Sequence, residues 1–461
     1  MRRATVKRTA PLSAALAVSL AAGMLFSVGT AFAREKTGTP RVERDLYGTK
    51  ATYAPQGTPD RYQKPPKGFV PVFTENVARH GSRAMTDSAD GDAVLAVLRE
   101  AQDKGALTGL GARLGPQVRS LLAAASALGY GNLSARGAEE HRQTALRMEQ
   151  RLPTLWAGIA ARHEPVVVET SGVPRTVASA EAFTGALASG EPALAGLIKA
   201  PVTDKNLLYF HKQPQNADYQ AYVKGDPELA GVLKRIDGDP RTAEAAHRVV
   251  GRLFREDFAA ALPPAEQVSF ARALYQLYSV APDLGVEAPD VDLTPFLVPR
   301  DAVWFAYLDD AEEFYEKGPA FRGRTITYKM AGVLLDDLLA QAGAKAAGTN
   351  GNGAVLRFTH AEEIEPLAAL MGLPGSTAPA EPGRPYAYGN NPWRGAEVSP
   401  MAANIQWDLF ANTPSAGKPA TYLVRMLYNE KETAFKPSCK PVAKGSHFYE
   451  LDELKRCLAH G

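Results

Sequence analysis

Three short apolar runs, at 68–73, 165–170 and 354–359, each give way within a few residues to side chains that carry charge or an imidazole. They are of strand length and rich in β-branched and aromatic residues, and stretches with helical spacing of apolar residues lie between them. A chain of this order folds as an α/β sheet covered by helices, because apolar strands must be shielded from water. In open α/β sheets, ligand sites form at the carboxyl ends of the strands. The unusual residues of this chain fall at those ends. Arg79-His80-Gly81-Ser82-Arg83 follows the first run, Arg175 the second, and His360-Ala361-Glu362 the third.

Arg79 and Arg83 carry planar guanidinium forks that match phosphate oxygens bidentately. His80 offers a ring nitrogen that is neutral, and so nucleophilic, at mildly acidic to neutral pH. Gly81 lets the backbone turn with no Cβ in the way of a ligand. A lone Arg-His-Gly reads as no more than a surface turn with solvated arginines. Its partners change the balance. Of the eight histidines, only His80 and His360 come directly off a strand-like run. Convergence of the three strand ends would set Arg79, His80, Arg83, Arg175 and His360 around one anion, with Glu362 beside it. His141 and Arg142 lie in a helix that could line the cleft, and they read as its solvated face instead. No metal-binding His-Glu-x-x-His and no Gly-x-x-x-x-Gly-Lys loop is present, so neither a metal nor a cofactor is expected, and the arginines do the charge work.

The chain has 461 residues and ordinary globular composition. Residues 1–33 read as a secretion signal: Arg2, Arg3, Lys7 and Arg8 precede a short apolar stretch that ends in Ala31-Phe32-Ala33. The Arg2-Arg3 pair leaves the route open between general and twin-arginine export. Losing those four positive charges takes the formal net charge from +2 to −2. That argues against a nucleic-acid partner and leaves anion binding to local arginines. No membrane segment is expected after cleavage. Cys439 and Cys457 are the two cysteines, and in an oxidising compartment they are expected to pair and tie down the tail.

Taken in order, 34–190 reads as the first part of an α/β domain, 191–320 as an inserted, mainly helical subdomain without a convincing strand, and 321–461 as the second part. Helices are expected from Asp90 or Asp92 to Lys104, at 116–128 with Pro116 in the first turn, at 135–151, and after Arg175 through Leu187. In the insert they are expected at 244–262 and 265–278, and beyond it at 327–342, ended by Gly343, and at 364–371. Met401, Ala403, Ile405, Trp407 and Leu409 alternate as in a strand with one buried face. A loop with Pro414, Gly417 and Pro419 leads to its antiparallel partner at 421–428.

Arg79-His80-Gly81-Ser82-Arg83 with the later His360-Ala361-Glu362 resembles the histidine acid phosphatases. Tyr47-Gly48-Thr49-Lys50, Leu133-Ser134-Ala135-Arg136-Gly137, Pro400-Met401-Ala402-Ala403-Asn404 and Leu427-Tyr428-Asn429-Glu430-Lys431 resemble the multiple inositol polyphosphate phosphatase branch. Ser179-Ala180 fits the broader family. Ala84-Met85 stands where the family often has proline, and His-Ala-Glu replaces the commoner His-Asp.

The resemblance implies the histidine phosphatase fold, a mixed central sheet flanked by helices with an inserted α-helical subdomain. It implies a secreted phosphomonoesterase acting on inositol polyphosphates such as phytate, with His80 as nucleophile and Glu362 as proton donor. Arg79, Arg83, Arg175 and His360 would then hold the phosphate. Lys50 would touch an outer phosphate or be a plain surface lysine, and Glu363 is the alternative donor. The guanidinium cluster would keep His80 neutral and mild acid would keep Glu362 protonated, so an acid-side optimum is expected. The alternatives are a broader acid phosphatase on sugar phosphates or nucleotides, and a non-catalytic phosphate binder on the same fold.

Overall fold

The first strand outruns the apolar stretch that announced it. In the computed structural model, which describes residues 45–413 and 419–459, β1 spans Phe69–Arg79. It continues through Thr74, Glu75 and Asn76, all buried, because Arg357 on the neighbouring strand meets Glu75 at 3.0 Å and donates its amide to Asn76 Oδ1. The segment read as a signal, Pro414, Gly417 and His460 lie outside the described residues.

The other strands are β2 Val166–Thr170, β3 Val202–Thr203, β4 Ala354–Thr359, β5 Asn404–Asn412, β6 Tyr422–Tyr428, β7 Lys431–Thr433 and β8 Phe448–Glu450. They form one mixed sheet in the order β3-β2-β4-β1-β5-β6-β7, with β8 also paired to β6. From β3 to β1 the neighbours run parallel, and from β1 onward they run antiparallel. β4, late in sequence, is inserted between the earlier β2 and β1. Register sets Arg79 opposite Thr359 and Thr170 opposite Phe358, so three carboxyl ends lie side by side.

Helices cover both faces. On one, Met148, Trp156, Ile159 and Phe183 pack on Val168, Leu356 and Phe358. On the other, Leu334, Leu338, Ile364 and Leu367 join Phe73, Val77 and Val355. Each such side chain, buried to the last few per cent, contributes about 2 kcal/mol. The helices from Lys205 to Glu316 share that second core, through Leu208, Tyr275, Phe305 and Phe314. Among the described residues, no helix is long and apolar enough to cross a membrane.

Several expected boundaries move, each for a visible reason. The helix expected at 116–128 begins at Gly111, whose amide donates to Thr108 Oγ1. The one expected at 244–262 is two, Pro240–Leu253 and Glu256–Ala261. The chain is drawn extended between them, where Phe254 bridges Leu107 and the Arg255 amide donates to Ala106. A 3-10 turn at Lys329–Ala331 opens the helix Gly332–Ala346, which passes through Gly343 instead of stopping there. Residues 191–320, expected to lack a convincing strand, contain the two-residue β3, which pairs with β2 in the main sheet. β5 is buried on both faces: Gln406 and Asp408, the expected outward positions, meet Arg151 at 2.8 and 2.9 Å, and Asp408 also meets Arg425 at 2.8 Å.

Candidate active site

β1 delivers His80 to the end of the sheet, and the backbone there is pinned from both sides. The His80 amide donates to Thr359 O on β4 at 2.8 Å, and its carbonyl accepts from Ala402 N at 3.0 Å. Gly81 then lies against Gly137 in the first turn of the helix Ala135–Arg151, so close that a Cβ on Gly81 would stand 2.6 Å from Gly137 Cα. That helix is capped by Ser134, whose hydroxyl accepts from Gly137 N and donates to Ser82 O. The Gly81 amide donates to Ser179 Oγ at 3.2 Å.

The His80 ring donates through Nδ1 to its neighbour's carbonyl, Gly81 O, at 2.9 Å. A carbonyl only accepts, so Nδ1 carries the proton and Nε2 keeps a free lone pair. Burial, and then Arg79, Arg175, His360 and Arg83 around it, push the His80 pKa well below its ordinary value. The ring is therefore neutral in mild acid.

The structure brings Arg79, Arg83, Arg175 and His360 together around this ring. Arg79 is held by the carbonyls of Thr49 and Ser399, which gives the Tyr47-Gly48-Thr49-Lys50 turn a structural task. Arg83 donates to Ala84 O at 2.8 Å. Burial and the other two arginines lower the Arg83 pKa to about 10, which leaves it charged. The Nε atoms of Arg79, Arg83 and Arg175 are all buried without a hydrogen-bond partner. Three cations side by side, each with a buried donor unused, call for an anion.

Glu362 and Glu363 follow His360 and part company. Glu363 is fully buried, 2.7 Å from His211 Nδ1 and 2.9 Å from Thr359 Oγ1, so it braces the helix Ala361–Met371 from beneath. The Glu362 side chain remains 31% exposed and lies 3.8 Å from Lys317 Nζ. Burial pushes its carboxyl up, but the nearby charge of Lys317 above all outweighs that and holds it below the usual range. Glu362 is thus a carboxylate in the free protein, not the preformed acid that mild acidity alone was expected to make it.

Sequence reasoning missed several neighbours, because the insert and the helix after Ser134 supply them. The ring of Tyr209 lies 5.1 Å from that of His360. Lys317 ends the helix Pro299–Glu316 and bonds Glu313 at 2.6 Å. Ser82 Oγ sits 2.8 Å from Glu140 and 3.0 Å from Asp283, two buried carboxyls beneath the Arg83 turn. His141, expected on a solvated face, is buried instead and its ring lies 5.5 Å from that of Phe358. Arg142 does face solvent, paired with Glu139. Lys50 shares one cleft with Arg83, but bonds Gln276 and lies 3.4 Å from Asp309. Cys439 and Cys457 form a disulfide, as expected.

Residues 73–429 match the model of the histidine phosphatase superfamily (branch 2), a span that holds Arg79, His80, Arg83, Arg175, His360 and Glu362. The chain belongs to that superfamily. It is a histidine acid phosphatase, a phosphoric monoester hydrolase with the central mixed sheet of its family. Within the superfamily it is similar to the multiple inositol polyphosphate phosphatases. It is 32% identical to that of Bifidobacterium longum, solved with inositol hexasulfate, over 90% of this chain and 97% of the other, with a TM-score of 0.83. It is 23% identical to multiple inositol polyphosphate phosphatase 1 of Gallus gallus over 419 residues, 85% of this chain and 86% of that protein. The phytase from D. castellii, 15% identical with a TM-score of 0.65 over 94% of this chain and 89% of that one, shares the fold.

Proposed function

We propose that this phosphatase is exported and hydrolyses phosphomonoesters of inositol polyphosphates such as phytate through a covalent phosphohistidine on His80. The observation that carries the reading is the free Nε2 of a neutral His80 beside three arginines whose Nε donors are buried and unused. The likeness to phosphatases named for inositol polyphosphates supports the substrate class. The disulfide and the pattern of residues 1–33 support export to the extracellular or periplasmic side.

In the first step His80 Nε2 attacks phosphorus in line, an N–P bond forms and the ester P–O bond breaks. Arg79, Arg83 and Arg175, with His360 among them, hold the equatorial oxygens through the transition state. The leaving oxygen takes a proton by way of Glu362, whose affinity for one rises once a bound phosphate offsets Lys317. In the second step Glu362, again a carboxylate, takes a proton from water, which attacks phosphorus and breaks the N–P bond. Inorganic phosphate leaves, and His80 is restored.

One observation favours a broader acid phosphatase as the second reading. Lys50 is already engaged by Asp309, and Asp87 and Asp90 line the same cleft, so the wall beyond Arg83 is not uniformly cationic. Phosphate release from inositol hexakisphosphate and from a small aryl phosphate, with and without chelator, tests both readings. Expected is turnover of the hexakisphosphate that survives the chelator and is lost in His80→Ala. Release that persists in that variant removes the nucleophile assignment, and much faster turnover of the aryl ester selects the broader reading.

A further inference from the structure

The turn that carries Arg83 hangs on one hydroxyl. Ser82 Oγ lies 2.8 Å from Oε1 of Glu140 and 3.0 Å from Oδ1 of Asp283, and all three residues are buried. A hydroxyl has one hydrogen, so it donates to one of the two carboxyls, and the other must bring a hydrogen of its own. Glu140 is the one that accepts. Its Oε2 takes the Ser82 amide at 2.8 Å and its Oε1 the Tyr53 amide at 2.9 Å. Amides only donate, so the Ser82 hydroxyl completes a carboxylate held by three donors. Asp283 has no such support, and its Oδ2 is buried without a hydrogen-bond partner. As a carboxylate it would meet Ser82 lone pair against lone pair. As an acid it donates from Oδ1 to Ser82 Oγ.

Asp283 reaches this turn from the insert, on the 3-10 turn Ala281–Leu284. The charges that face it are Glu140 and Arg83. Arg136, on the helix of Glu140, and Glu287, which accepts the Ala135 amide, stand at its margin. Two more helices pack on the 3-10 turn. On Gly111–Leu128, Arg113 and Arg119 face solvent, and on Pro264–Val280, Glu266 faces solvent while Arg272 pairs with Asp237. Burial first, and then Glu140, raise the Asp283 pKa to about 8, against the pull of Ser82 and Arg83. Burial raises Glu140 too, but the two amides and the Ser82 hydroxyl oppose it.

We propose that Asp283 is a positioning residue for Arg83: as a neutral acid it donates to Ser82 Oγ and steadies the turn, and once ionised it loosens the turn and competes with phosphate for the Arg83 charge. The loss is twofold. Two carboxylates then share one hydroxyl, and a new negative charge sits beside a guanidinium whose buried Nε–H is kept for the anion. The insert thus sets an upper pH limit on phosphate binding. The proposal rests on the phosphate site described above and adds the group that aims one of its arginines.

The first measurement needs no ligand. Infrared spectra of the full-length wild type and of Asp283→Asn at pH 6 should differ by the carbonyl stretch of one protonated carboxyl, present in the wild type and missing from the variant. Absence of that band overturns the proposal. The second is the inhibition constant of inorganic phosphate from pH 5 to pH 9, taken as the ratio of variant to wild type, so that titration of phosphate, His80 and Glu362 cancels. Asp283→Asn keeps a donor for Ser82 and cannot ionise, so its ratio should fall about tenfold across that range, the worth of one orienting hydrogen bond. Asp283→Leu keeps the bulk without the donor and should raise the constant about tenfold at pH 5. The kcat/KM values for inositol hexakisphosphate and the aryl phosphate should follow, since both reacting phosphates use Arg83. A flat ratio for Asp283→Asn overturns the proposal, as does an Asp283→Leu that lowers the melting temperature and leaves these constants alone. Should Asp283→Leu not fold, the infrared comparison and Asp283→Asn still decide. Phosphate that fails to inhibit the wild type at any pH overturns the phosphate site itself, a result told apart from the hydrogen on Asp283, which the infrared spectra read without ligand.

Discussion

Gly81 and Gly137 touch backbone to backbone, and this contact seats the turn that presents His80. A Cβ on Gly137 would meet Ser82 O and would stand 2.7 Å from Ser82 N and from Leu133 Cδ1; the leucine could swing away, but the Ser82 backbone could not. Neither glycine has a positive φ, so the requirement is closeness of approach and not backbone conformation. Gly137→Ala should therefore displace the His80 turn. The expected result is a loss of kcat/KM of about a hundredfold, the cost of a misplacement near 1 Å. Overpacking should also lower stability by about 1–3 kcal/mol, read by urea unfolding. Full activity in this variant would show that the turn is held by other contacts.

Lys317 reaches Glu362 from the insert and holds it as a carboxylate. His211, His360, Arg83 and Arg175 add positive or polar groups, while Glu313, Glu316 and Glu365 surround the lysine. With Lys317→Gln the Glu362 pKa should rise. A base is lost as pH falls through its pKa, so the acid limb of the kcat profile should move to higher pH. A limb that stays in place would take Glu362 out of the water-activating step.

Asp283 binds its proton more tightly folded than unfolded. Burial, and then the neighbouring Glu140, raise its carboxyl from 3.8 to about 8. Its contribution to stability is thus fully present below the unfolded value and is lost as pH rises through the folded one. The urea midpoint of the wild type should fall between pH 5 and pH 9, and Asp283→Asn should narrow that difference. Glu75, raised by burial to about 8, and Asp310, to about 7, keep part of it. An unchanged difference would place the proton elsewhere.

Lys50 lies on the cleft wall next to Arg83, partly neutralised by Asp309. On the proposed substrate it has an outer phosphate to meet, and on an aryl phosphate it has none. Lys50→Ala should lower kcat/KM for the hexakisphosphate about fivefold, the worth of a half-open ion pair, and leave the aryl ester unchanged. Equal effects on both substrates would return Lys50 to a plain surface or structural role.

The reading of the chain succeeded where local pattern and tertiary demand coincide. β2 and β4 are short, β-branched and buried, and both stand where the sequence places them. It fell short where burial was bought with ion pairs. Glu75, Gln406 and Asp408 look like breaks or outward faces until Arg357, Arg151 and Arg425 arrive from elsewhere in the chain to satisfy them. His141 misled in the same way, because a polar helix pattern does not reveal that its one imidazole lies under the sheet.

By itself, the sequence determined that this protein has an α/β sheet with arginines and two histidines at its strand ends. Strand periodicity and the order of the runs are local properties of the chain, and the motif residues are legible one by one. Only the tertiary structure decided which hydrogen His80 carries and which partner each charge meets. His80 owes its free Nε2 to Gly81 O, and Glu362 its charge to Lys317. Protonation depends on distances between residues far apart in sequence and on the exclusion of water, and those exist only once the insert, the sheet and the helix after Ser134 have closed around the site.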